Sequence, residues 1–517
     1  MSAAPDNSPK SQPFWMNDPE QNGLFEDWAS EEAIIGEVLR TDPRFGSIID
    51  PRSAQDLPYT HELAAIKRFT ERHRADPSFR QAVQENPQAA VEKYGIDINA
   101  QDMACFWDEE TAAKLQQDPA WTPPLSVLRH RLFAKEKLLH RGQLRLEGCR
   151  PTDPNHRDWR DRQMKRGLAE LGMPSYQGII HAPFAIELSE GCSVGCWFCG
   201  VSADKKKGDF LYTPENAELW NNVLAVLRNK IGPAASGGFC YWATDPLDNP
   251  DYEEFCLDFA KHCGVFPQTT TAQAHKHVER VRRLLRLSNE HGCTINRFSI
   301  LTLRAFNQIM DEFSAEELLH CEIVAQNFET ETFQSSAGRA MNSKGMAKKK
   351  ERLGVAQEVE IAPGTIACIS GYLINMVKKQ IRLITPCAAS ERWPDGYWIL
   401  DEATFTDGAS FEKEIERMSQ THMRSGLNVD SPARVHPSLG LELTDDGFSV
   451  RGRDTTTTFN NSRPIGVALQ AGNETLGELA LRLEDHERIP AYETMATLGE
   501  VFNKGLLDEE PPSTQAK

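Results

Sequence analysis

The chain has 517 residues, 40% of them apolar, and a formal net charge of −18. That length allows two to four domains with real cores, while the acidic balance argues against generic nucleic-acid binding, which needs a basic footprint. No apolar run approaches the length of a membrane-spanning helix.

Residues 1–25 are polar and Pro-rich, without the apolar centre of an export signal, and read as a disordered tail. Twelve cysteines in such a chain fit the reducing cytoplasm. Residues 26–175 read as a helical N-terminal region. Asp76-Pro77 and Asn86-Pro87 each pair an N-cap side chain with a proline at the first helical position, and Gly95 suits a helix end. Longer helices are expected over 125–146 and 155–171.

From about residue 180 short β-rich runs alternate with helical segments. Strands are expected over 183–188, 238–243, 265–270, 297–301 and 321–326. Helices are expected to start near Pro214, capped by Thr213, near Asp251 and near Arg304, with another over 274–291. Such alternation predicts a parallel sheet with right-handed crossovers across residues 176–362. The basic run Lys344–Arg352 reads as a solvated face. Residues 363–430 read as a β-hairpin, 366–377 and 380–385, with an extension carrying Cys387. Residues 431–510 read as a small α+β domain: strands 439–443 and 448–451 flank a Thr-Asp-Asp-Gly turn, and helices follow over 475–483 and 491–504.

The chemistry concentrates in residues 190–200, Glu-Gly-Cys-Ser-Val-Gly-Cys-Trp-Phe-Cys-Gly. Cys192, Cys196 and Cys199 can hold three corners of a cubane iron–sulfur cluster and leave the fourth iron open. This reading ranks above structural zinc, which usually takes four ligands, and above a disulfide. The loop directly follows the first expected strand. It thus lies at the C-terminal end, where parallel α/β barrels gather their chemistry.

The C-x3-C-x2-C spacing with Phe198 before the last cysteine resembles the signature of radical S-adenosylmethionine (SAM) enzymes. The run Cys368-Ile-Ser-Gly-Tyr-Leu-Ile-Asn-Met, followed by Ile-Arg-Leu-Ile-Thr-Pro-Cys387-Ala-Ala-Ser-Glu-Arg-Trp-Pro-Asp-Gly-Tyr, resembles radical SAM maturases of ribosomal peptides. Among these the likeness is greatest to polytheonamide-type (proteusin) peptide epimerases, over roughly residues 60–510. The resemblance implies a partial (β/α)6 barrel with one [4Fe-4S] cluster on Cys192, Cys196 and Cys199, and SAM as cofactor. Phe198 would pack on the adenine. Thr244 and Asp245 occupy the place where the family binds the methionine amino group, although Tyr241–Pro246 replaces the usual Gly-Gly-Glu. Thr270 and Ser299 would reach the carboxylate or ribose.

The implied reaction converts L- to D-residues. A 5′-deoxyadenosyl radical removes a Cα hydrogen, and a thiol returns one from the opposite face. Cys240, Cys256, Cys263, Cys293 and Cys321 fall in core elements and read as small apolar residues. C-terminal to the expected barrel only Cys368 and Cys387 remain, too few for a second cluster. Cys387 is the first choice for the donor because it leaves a strand beside a proline and a polar loop. Cys368, inside an apolar hairpin, is the second. Implied partners are a precursor peptide and an electron donor such as a flavodoxin or ferredoxin, with no nucleic acid and no membrane. Residues 76–102 resemble the helical leader of nitrile-hydratase-like precursor peptides, and residues 502–509 resemble the last turn of winged-helix peptide-recognition modules. The alternatives are a maturase forming thioether or C–C crosslinks and a non-catalytic, metal-stabilised peptide-binding protein.

Overall fold

The computed structural model describes residues 48–54, 59–117, 121, 123–330, 337–341, 344–352 and 363–511. The tail expected over 1–25 lies outside them. Helix α1 (Thr60–Ala75) comes first, and α2 (Pro77–Glu85) and α3 (Pro87–Lys93) begin where the two cap–proline pairs place them. Asp76 accepts from the Ser78 and Phe79 N–H groups, and Asn86 from that of Ala89. Phe69, Phe79, Val83 and Val91 give these helices a small core. Helix α4 (Leu125–Gln143) runs into a single π turn, Leu144–Gly148, and α5 (Pro154–Leu171) starts on an Asp153 cap.

The α/β region follows in the order β1 (Ala182–Glu187), β2 (Ser189–Glu190), β3 (Gly208–Asp209), α6 (Pro214–Ile231), α7 (Tyr252–Cys263), β4 (Thr270–Thr271), α8 (Val278–Glu290), β5 (Asn296–Ile300), α9 (Leu303–Glu312) and β6 (Cys321–Ala325). Next come β7 (Ile369–Asn375), β8 (Gln380–Pro386), β9 (Tyr397–Thr404) and α10 (Gly408–His422). The last unit contains β10 (Gly440–Leu443), β11 (Phe448–Arg451), β12 (Thr456–Phe459), α11 (Arg463–Ala471), α12 (Leu476–Glu487) and α13 (Ala491–Asn503).

The fold is mixed α/β, and among the described residues no sheet closes on itself. β4, β5 and β6 are parallel. β1 pairs in parallel with β7, which continues antiparallel into β8 and β9. One large core lies under these sheets against α6–α10, and a separate one fills the C-terminal unit. Where β7 bulges past β1, a Cβ on Gly371 would stand 1.9 Å from the Pro183 carbonyl oxygen, so the close approach requires glycine. The C-terminal unit docks on α5: Gly452 lies against the Ala169 backbone, and Arg162 donates to Glu509 at 3.0 and 3.1 Å.

Two expectations need correction. The strand expected over 238–243 shrinks to one bridge, Phe239 with Ala185; the Ala243 N–H goes to the Glu187 carboxylate instead of a ladder. The run 265–270 yields only Thr270–Thr271. Pro267 has no N–H to offer, and the Thr269 N–H bonds the Asn296 side chain. The basic run forms a helix, Lys344–Arg352, with Lys344, Lys348 and Arg352 exposed as expected and Lys349 buried. Strands β9 and β12 and helices α10 and α11 add to the expected elements.

Candidate functional site

The short pair β2–β3 clamps the base of the three-cysteine loop. Cys192 bridges Lys205, and its N–H donates to the Asp204 carbonyl at 2.8 Å. Gly191 sits at φ +75°, where an added Cβ would lie 2.3 Å from the Lys205 oxygen. Gly195 also has positive φ, +68°. These two positions let the chain curl so that its sulfurs share one loop. Backbone N–H groups point at two of them: Val194 to Cys192 Sγ at 3.5 Å and Ala203 to Cys199 Sγ at 3.3 Å. Arg339 ties the loop from outside, donating to the Cys196 and Ala203 carbonyls at 3.0 and 2.6 Å.

All three cysteines are half-buried and none is in a disulfide. Burial, then Cys192, Cys199 and Asp245, pushes the Cys196 thiol up to about 12; burial, with Asp245 and Asp248, also raises Cys192. These thiols do not ionise unaided at neutral pH, and a bound metal would deprotonate them on ligation. Three half-accessible sulfurs on one curled loop, two of them met by N–H groups, fit a cluster with one open iron. If the loop holds a cluster, Gly191→Ala is expected to lose its iron while keeping all three cysteines, because the new Cβ meets the carbonyl of Lys205, the residue bridged to Cys192; iron per chain after reconstitution reads this directly.

Around the loop, Asp248 accepts from Ser193 N–H and Oγ at 2.8 and 2.5 Å and from Gln273 at 3.0 Å. Asp245 is buried and already committed. It accepts from Thr271 Oγ1 and the Ala272 N–H at 2.8 Å each, and from the Leu247 N–H at 3.0 Å. The fold thus brings Asp245 beside Cys192 and Cys196, but as a turn-former with little acceptor capacity left. Thr244 makes only a 3.5 Å contact to the Asp245 carbonyl. Thr270 bonds Tyr241 OH at 2.8 Å, and Ser299 is half-buried on β5. Phe198 meets Trp197 edge-on at 5.4 Å, and Trp197 stacks on Phe328.

Sequence reading missed several charged groups. Glu187, the last residue of β1, is buried; it accepts from the Ala243 N–H and from Asn375, each at 2.9 Å, and burial raises its pKa. Its signal is a lone carboxylate in an otherwise apolar strand. On β5 and β6 the paired residues Arg297 and Glu322 form an ion pair at 3.1 Å. Lys137 and Arg141 of α4 approach Glu322 at 3.7 and 3.8 Å. Burial opposes ionisation of Glu322, yet Arg297, Lys137 and Arg141 hold its carboxyl down to about 2.

The two candidate donor thiols differ sharply. Cys387 is 1% exposed. Its N–H bonds the Gly396 carbonyl at 2.9 Å, and burial, then Glu170, raises its thiol pKa. Buried Arg166 donates to the neighbouring Pro386 carbonyl and stacks on Trp398 at 3.8 Å. Beyond Trp398 a cavity of about 640 Å³ opens toward His436 and Glu510. His436, Asp508 and Glu510 converge within 4.8 Å, but Arg434 and Arg392 already neutralise the two carboxylates, each at 2.6 Å. Cys368, in contrast, keeps accessible surface although burial pushes its thiol up to about 11. Tyr241, Arg297 and Arg141 are its electrostatic neighbours. Cys368, directly before β7, thus keeps some accessible surface within electrostatic reach of the Arg297–Glu322 group.

No family model matches the chain. An alignment over 458 residues, 37% identical, covers 87% of the chain and 88% of "Uncharacterized protein y4wI" from Sinorhizobium fredii (strain NBRC 101917 / NGR234). A shorter one, 27% identical over 125 residues, covers 23% of the chain and 25% of an argininosuccinate lyase from Deinococcus radiodurans. By the extent and identity of the first alignment, the chain belongs to the family of the uncharacterized protein y4wI.

Proposed function

We propose that the protein is a radical SAM peptide epimerase that converts L- to D-residues in a ribosomally made precursor peptide. The observation that carries the reading is the three-cysteine loop, held at the C-terminal end of β1 and flanked by Asp245 and Asp248. The resemblance of residues 60–510 to proteusin epimerases supplies the reaction class. β1, the Phe239 bridge, β4, β5 and β6 follow one another with intervening helices. We read them as a partial (β/α)6 barrel whose chamber would be lined by Cys368, Tyr241, Arg297 and Arg141.

In this reading Cys192, Cys196 and Cys199 hold the cluster, with Phe198, Asp245, Thr270 and Ser299 around the cofactor. When bound, the cluster and SAM supply a carbon radical that abstracts hydrogen. The chain's own tasks are to hold the peptide in the chamber, exclude water and return a hydrogen atom. We assign that return to Cys368 ahead of Cys387, since only Cys368 combines depth with accessible surface. Its S–H bond breaks, a Cα–H bond forms, and the thiyl radical left behind takes an electron from a ferredoxin- or flavodoxin-type donor and a proton from solvent. The C-terminal unit, three antiparallel strands and three helices, would bind the leader peptide as a winged-helix module.

Incubation of reduced enzyme, SAM and precursor peptide in deuterated water tests the reaction. Deuterium at Cα together with D-residues after hydrolysis is expected. Loss of peptide mass would replace the reading with a crosslinking maturase. Failure to cleave SAM with a full iron complement would replace it with a metal-stabilised binding protein.

A further inference from the structure

The group around Glu322 holds more positive charge than it pairs. Arg297, Lys137 and Arg141 all face one carboxylate, Glu322, at 3.1, 3.7 and 3.8 Å. Three cations against one anion leave two positive charges. Behind them Lys67 and Glu71 pair with each other at 2.7 Å and cancel. Among the described residues, Lys137 otherwise meets the Phe133 ring at 4.8 Å and the longer-range pull of Glu71, which Lys67 already pairs. Arg141 makes no hydrogen bond to any described residue, although its guanidinium carries five donors in a planar fork. His140 on the same helix is spent on Thr294 Oγ1 at 3.0 Å.

These groups are not simply solvated surface. Their side chains keep only 21% to 29% of their exposure. Crowded cations in such a place repel one another and are poorly hydrated, so they favour an incoming anion. The protein as a whole is strongly acidic, which makes a local positive excess harder to dismiss as background. Along β5, Arg297 lies two residues below Ser299, roughly 7 Å further from the cysteine loop. Cys368 and Tyr241 lie within electrostatic reach of Arg297.

We infer that Arg141, Lys137 and Arg297 form a subsite for a carboxylate, filled by an acidic side chain of the peptide held in the chamber. A planar carboxylate can take two N–H groups of the Arg141 fork and sit against the Lys137 ammonium, leaving the Arg297–Glu322 pair intact. The occupant's identity as substrate peptide rests on the function proposed above; the carboxylate site itself does not.

Calorimetric titration of the full chain at fixed ionic strength separates the two. The probes are N-acetyl-L-glutamate amide, its neutral isostere N-acetyl-L-glutamine amide, and inorganic phosphate. The glutamate probe is expected to bind and to raise the melting temperature, while the glutamine probe does neither. Arg141→Gln should weaken glutamate binding about tenfold or more, the loss of a charge-assisted hydrogen bond. It should leave the melting temperature of the ligand-free protein unchanged or higher, because one crowded cation is gone. Lys137→Gln gives a second readout of the same site if Arg141→Gln folds poorly. Equal binding of the glutamate and glutamine probes, glutamate binding that survives both variants, or binding of phosphate alone would overturn the subsite. None of these arms requires turnover, so a failed epimerase assay leaves the result standing.

Discussion

Replacing Cys192, Cys196 or Cys199 with alanine is expected to strip the cluster and lower SAM cleavage at least about a thousandfold, roughly 4 kcal/mol of barrier. The loop offers three sulfurs and no fourth ligand, so a single loss leaves two, too few to hold a cubane that already lacks one protein ligand. The thiols of Cys192 and Cys196 are also raised by burial and by neighbouring carboxylates. Each ligation therefore displaces a proton at a cost that only a complete set of metal–sulfur bonds offsets. The checks are iron and sulfide content and the visible iron–sulfur absorbance after anaerobic purification. Cys240→Ala and Cys256→Ala serve as controls: both residues are fully buried in the main core, so these variants lose stability but keep the colour. Bleaching in the controls but not in the loop variants would refute the assignment.

How legible these features were depends on distance along the chain. Asp76, Asn86 and Thr213 cap helices through N–H groups two or three residues away, and the loop cysteines lie within eight positions, so local spacing exposes both. Arg297 and Glu322 are 25 residues apart and meet Lys137 and Arg141 from yet another element. Each reads locally as an ordinary charged residue; only the β5–β6 register and the approach of α4 turn them into a group. Asp245 shows the opposite case. Its neighbourhood was readable from the strand order, but not that Thr271, Ala272 and Leu247 consume its acceptors. The strand ends at 238–243 and 265–270 failed for one shared reason: side chains, not a neighbouring strand, take the backbone N–H groups there.

The ranking of the two thiols turned on the same limit, and it yields the second large effect. Cys387 follows Pro386 into a polar loop, a context that suggests accessibility. The three-dimensional surroundings remove it: Arg166 and Glu170 bind the carbonyl and the N–H on either side, and the side chain is 1% exposed. Cys368→Ala is expected to abolish net L-to-D inversion, to below about one-hundredth of the wild-type yield, while SAM cleavage continues. Deuterium from solvent then fails to appear at Cα in D-residues, and the peptide radical is quenched from the original face or not at all. Cys387→Ala should retain inversion and show mainly a folding defect. The pH profile adds an independent sign. A thiol donates a hydrogen atom only while protonated, and burial raises Cys368 from its ordinary value to about 11. The inversion step is therefore expected to stay level through pH 9 and to fall only as pH approaches 11, whereas an ordinary exposed thiol would already be half ionised near 8.5. If inversion survives in Cys368→Ala and vanishes in Cys387→Ala, Cys387 is the donor, and the peptide must reach the cavity beside Trp398 rather than the charged chamber.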